Sequence, residues 1–65
     1  MMQKHWLITY QQRNDFGGPW IPANTATKET PSQWLFEALN QCPLTILLFA
    51  LEITSDEYAA LHDVL

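Results

Sequence analysis

Residues 44–53 carry a single charge, Glu52, and are apolar on both alternating faces. Pro43 pushes the residue before it away from helical geometry. Thr54-Ser55-Asp56-Glu57, on the other side, has the form of a helix cap. A run this short between two stops cannot span a bilayer as a helix. It has the length and bounds of a buried strand. The chain must therefore build a sheet around Leu44 to Ile53, and what the rest can lay over that strand decides the fold.

Three other segments are legible. Lys4 to Gln12 alternates, with Trp6, Ile8 and Tyr10 on one side and Leu7 and Thr9 on the other, which predicts a strand. Asn14-Asp15-Phe16-Gly17-Gly18 supplies turn residues, including two glycines able to take positive φ. Trp20 to Thr27 can return as a second strand, but Pro19 and Pro22 donate no backbone hydrogen bond, so it should lie at a sheet edge or be irregular. Thr30-Pro31-Ser32-Gln33 opens a helix with a cap, a proline at the first helical position and a capping-box partner. Trp34, Leu35, Ala38, Leu39 and Cys42 would form its buried stripe. Thr54 and Glu57 form a second capping box, starting a short helix with Tyr58, Leu61 and Leu65 on its apolar side.

The expected fold is α+β, in the order strand, strand, helix, strand, helix. A three-stranded antiparallel sheet of order 2-1-3 carries helix 31–41, with a short C-terminal helix at 55–64. With 65 residues the expectation is a single domain, 1–65. A domain of this size buries only about 60% of its unfolded surface. One cysteine permits no internal disulfide, and His5 and His62 lie far apart in sequence, so no metal site and no cofactor is expected.

Charge narrows the partners. Three basic residues stand against seven acidic ones, for a formal net charge of −4. Duplex nucleic acid is bound mainly by neutralising phosphates, so no direct nucleic-acid contact is expected. The opening residues lack the apolar run of a secretory signal, and a cytoplasmic setting without membrane attachment is the expectation.

Few residues invite a chemical reading. Cys42 closes an apolar helix stripe and reads as a buried, inert thiol; no neighbouring signal makes it the nucleophile of a Cys-His pair. Asp56 and Glu57 resemble an acid-base pair but are placed as first-turn helix acids. The glycine-containing turn lacks the lysine of a phosphate loop. No catalytic residue is assigned, and a non-enzymatic protein is expected. In size, acidity and want of an enzymatic motif the chain resembles small accessory proteins of bacteria and their phages.

Either both sheet faces are covered within the monomer, or one of two interaction surfaces is left open. The first would join Tyr10, Phe16 and Trp20 on the hairpin with Asp56, Glu57 and Asp63. It would serve an inhibitor or adaptor that docks on a larger macromolecule, another protein with a basic surface. The second is the third strand, where Ile46, Leu48, Phe49 and Leu51 would support self-association as a homodimer.

Overall fold

The computed structural model describes residues 3–64. It contains β1 (His5–Gln12), β2 (Ile21–Thr27), α1 (Pro31–Gln41), β3 (Thr45–Ile53) and α2 (Ser55–Val64), in the expected order. The strands form one antiparallel sheet in the order β2-β1-β3. The most alternating segment is thus the central strand. Pro22 lies on edge strand β2, opposite Gln11, where its missing N–H need not interrupt a second ladder.

Register divides the sheet into two faces. Trp6, Ile8, Tyr10 and Gln12 share one face with Thr45, Leu47, Ala50 and Glu52 of β3. His5, Leu7, Thr9 and Gln11 share the other with Ile46, Phe49, Leu51 and Ile53. Thr9 pairs with Phe49 and Tyr10 with Leu47, so Leu48 is the extra residue of a β-bulge. That bulge keeps the two apolar sets of β3 in phase with β1.

The first face carries the core. Ile8 is fully buried at its centre, with 0% exposure. The Tyr10 ring meets Trp34 of α1 at 4.8 Å between centroids, tilted by 54°. Edge-to-face and tilted contacts of this kind suit the ring quadrupoles. At the far corner, Gln12 Nε2 donates to Thr45 Oγ1 at 2.9 Å, and that hydroxyl donates to the Cys42 carbonyl at 2.7 Å. Thr45 is buried with its hydroxyl engaged both ways, as a buried polar group must be.

Both helices begin where the caps predict. Thr30 Oγ1 accepts from Gln33 N at 3.3 Å, with Pro31 in the first turn. The second box closes in both directions: Glu57 N donates to Thr54 Oγ1 at 3.1 Å, and Thr54 N donates to Glu57 Oε1 at 2.9 Å. Helix α2 docks at the end of the sheet where β1 begins. The Tyr58 ring lies 4.8 Å from His5 and 5.6 Å from His62, with the Lys28 ammonium 5.6 Å above it. Leu65, expected on the same stripe as Tyr58, lies outside the described residues.

Two expectations need correction. The α1 stripe is not buried: no residue of α1 is, Leu39 is exposed, and Cys42 beyond its end is half-buried. The helix meets the sheet mainly along β3 and through Trp34, so its sides remain wet and Phe36 stands 67% exposed. The hairpin glycines, among the described residues, take no positive φ. Instead Asp15 organises the turn, its Oδ1 accepting from Gly17 N at 3.0 Å and its carbonyl from Gly18 N at 3.2 Å. A Cβ at Gly18 would sit 3.1 Å from that carboxylate, a tight contact to which the Asp15 side chain would have to yield.

Candidate interaction surfaces

The hairpin surface does not assemble as one patch. Tyr10 follows Ile8 onto the inner face and is half-buried against Trp34. Phe16 and Trp20 stay at the hairpin tip, where they flank Arg13: its guanidinium carbon lies 4.5 Å from the Trp20 ring centroid and 5.9 Å from that of Phe16. Phe16 is 81% exposed. Asp56, Glu57 and Asp63 lie on α2, which joins β3 at the opposite end of the sheet. The molecule is 42 Å long, so one partner surface of ordinary size does not span both groups. The alternation of β1 already separated Tyr10 from the tip. The role of Arg13 between two rings was missed, although an arginine three residues before one aromatic and seven before another was the visible cue.

The β3 residues do assemble. Ile46, Leu48, Phe49 and Leu51 are between 42% and 54% exposed, all on one edge strand. Helix α1 covers the opposite face of that strand, where Thr45 is buried and Leu47 and Ala50 half-buried. Helix α2 packs against β1 and β2, and of the outward set of β3 only Ile53 is buried. On the same outer face the neighbours of Ile46 and Phe49 are polar, Gln11 opposite Ile46 and Thr9 opposite Phe49 with its Oγ1 donating to Asn24 Oδ1 at 2.8 Å, whereas Leu7, opposite Leu51, is apolar and half-buried. The apolar surface is therefore a narrow stripe along the free edge, on the order of a few hundred Å², the scale at which exposed patches act as interaction sites.

No charge guards that edge along its length. Natural edge strands are usually blunted by lysine, proline, an inward-pointing charge or a β-bulge, and of these β3 has the bulge at Leu48 but no lysine or proline. In β3 the only charged residue is Glu52, near one end, 3.9 Å from Lys4 Nζ. Both groups are exposed, and such a pair contributes little to stability.

A cleft of about 270 Å³ lies between α1 and the inner face, lined by Tyr10, Thr25, Trp34 and the carboxylates Glu29 and Glu37. Glu29 is held above its ordinary value of 4.5 by a hydrogen bond with Glu37, then by burial and by the Glu37 charge. A raised acid is stabilising while protonated. That contribution is present below the ordinary carboxylate range and is lost as pH rises through the raised value. At neutral pH the pair is therefore a small liability, screened by solvent. Glu37→Gln should raise the melting temperature at neutral pH and lose that advantage in acid. Melting curves of both proteins across pH check this; an advantage independent of pH would reject the coupling.

Among the described residues catalytic groups are not gathered. The Cys42 thiol donates to the Arg13 carbonyl at 3.8 Å, at the end of β1 remote from His5 and His62. An eight-residue strand separates these ends by roughly 25 Å. Among the described residues no three His, Cys, Asp or Glu side chains could hold a metal, and no helix is long and apolar enough to cross a membrane. Compared with known proteins, the chain matches no family model, no curated protein and no solved structure.

Proposed function

We propose that this protein is a non-enzymatic interaction protein, an inhibitor or adaptor, whose docking element is strand β3. The observation that supports this reading is the exposure of Ile46, Leu48, Phe49 and Leu51 on a sheet edge that carries no lysine or proline. An extended segment added there would gain main-chain hydrogen bonds from the edge and side-chain contacts from the stripe. Neither helix covers the outer side of β3: α1 lies on the inner face, with Trp34 against Tyr10, and Tyr58 of α2 packs against His5 at the start of β1.

The test compares baits in affinity capture from the native cell. Leu48→Lys and Phe49→Lys place charge on exposed positions and should leave the fold intact by circular dichroism. They are expected to lose the proteins captured by the wild type, while Phe16→Ala retains them. Loss at Phe16 with retention at both β3 variants would transfer the function to the hairpin tip.

A further inference from the structure

We infer that the occupant of the β3 edge is β3 of a second copy, paired antiparallel about a two-fold axis between Leu48 and Phe49. This rests on the reading of β3 as the docking element, and it names the partner.

The first argument is the shape of the open surface. The stripe is bordered on β1 by Gln11 and Thr9, with the half-buried Leu7 the one apolar neighbour, opposite Leu51, so a partner laid across the outer face would also cover polar groups. A partner along the edge covers the stripe and the unpaired backbone together. What fits is another extended segment that is uncharged and apolar over about the same length. Residues 45–51 are such a segment.

Charge gives the second. The chain is acidic overall, which opposes association of two copies through most surfaces. Antiparallel pairing sends the two Glu52 side chains to opposite ends of the interface, each facing Thr45 of the other copy. Parallel pairing in register would set them side by side, and like charges directly opposite are destabilising.

The third argument is the bulge. A two-fold axis perpendicular to a sheet requires paired residues to project from the same face. In a regular strand, an axis between residues 48 and 49 would pair opposite faces, because faces alternate with period two. The extra residue Leu48 resets that alternation. Ile46 and Leu51 now share the outer face, and Leu47 and Ala50 the inner one. The axis therefore pairs Ile46 with Leu51 of the second copy, Leu47 with Ala50, and Leu48 with Phe49. Axes centred on a residue lose this match on crossing the bulge. The product is a continuous six-stranded antiparallel sheet with β2, the proline-bearing edge, at both ends.

Area sets the strength. One added strand pair hides on the order of 500 Å² per copy, less than the roughly 800 Å² of a standard stable interface. The dimer is therefore reversible, and it is read by sedimentation equilibrium from low micromolar to near-millimolar protein.

The register predicts a charge-swap. Leu48→Lys and Phe49→Glu should each weaken the homodimer by at least about tenfold, a loss of roughly 1.4 kcal/mol. Mixed together, the two variants should associate again. The introduced lysine of one chain then meets the introduced glutamate of the other, while the unaltered Phe49 of the first meets the unaltered Leu48 of the second. Circular dichroism of each variant checks that the monomer fold is unchanged. Wild-type protein that stays monomeric over the whole range overturns the inference, as does a dimer indifferent to both substitutions or a mixture that fails to associate. A monomer whose partner capture still depends on Leu48 and Phe49 would overturn the second copy alone and leave the docking strand standing; a monomer with β3-independent capture removes both.

Discussion

Replacing Ile8 with alanine should lower the unfolding free energy by about 3 kcal/mol, a substantial share of what a chain this short can have. Buried isoleucine-to-alanine changes cost about 2–5 kcal/mol, through lost transfer energy and the cavity left behind. The position in that range depends on whether neighbours can close the gap. Ile8 lies mid-strand on the central strand, flanked by Thr25 on one side and Ala50 on the other. Both are small, and both are fixed by their own ladders, so collapse is limited. Among the described residues Ile8 and Ile53 are the buried apolar side chains, and only Ile8 is completely shielded. A chain of this length has a total stability on the order of 3–10 kcal/mol. One substitution then removes a third or more of it. Urea titration followed by tryptophan fluorescence measures the change, with Ile8→Val as the graded control at about 1 kcal/mol. A cost under about 1 kcal/mol for alanine, below the range for buried sites, would mean that the core is not centred on Ile8.

That dependence on one residue was not visible in the sequence, although most of the architecture was. The strand alternation around Ile8, the proline stops and the two capping signals are local. Each acts within a few residues of itself, and each appears where its chemistry places it. Burial is different, because it depends on where helices land. The stripe Trp34-Leu35-Ala38-Leu39 is a sound amphipathic pattern, yet an eleven-residue helix on a three-stranded sheet cannot hide all of it. The bulge at Leu48 is likewise unmarked by glycine or proline; it arises from the pairing with β1, a long-range fact. The Glu29–Glu37 pair joins the residue before a cap to the middle of the helix that follows, and no spacing rule announces it. The β3 set was legible because its exposure follows from arithmetic: too much apolar strand for the cover available. The hairpin set was legible only as residue types, and alternation in β1 divides it.

Trp34→Ala should cost about 2–3 kcal/mol and release α1 from the sheet before the rest of the fold is lost. The helix has a good start, with Thr30 capping and Pro31 in the first turn, but eleven residues do not form a stable helix in water alone. It persists because its face is docked, and the most specific docking contact is the tilted ring pair of Trp34 with Tyr10. Such pairs contribute about 0.5–1.5 kcal/mol beyond their buried area. Truncating a half-buried tryptophan adds the lost area to that, short of the roughly 3–5 kcal/mol of a fully buried one. Trp20→Ala is the internal comparison. Trp20 also holds a ring contact, with Arg13, but at the hairpin tip, where a cation over a ring contributes about 0.5–1 kcal/mol. Hydrogen exchange should show the amides of 34–42 losing protection in the Trp34 variant while α2 and the β1–β2 ladder keep theirs. Equal costs at the two tryptophans, or uniform loss of protection, would show that α1 is not separately held. The consequence reaches β3. Helix α1 covers the inner side of that strand, over Leu47 and Ala50, so its release bares a second apolar face beside the one already open. With both faces of the edge strand exposed, two-fold pairing would no longer limit association, and the Trp34 variant should form open-ended aggregates where the proposed wild-type dimer stops at two copies.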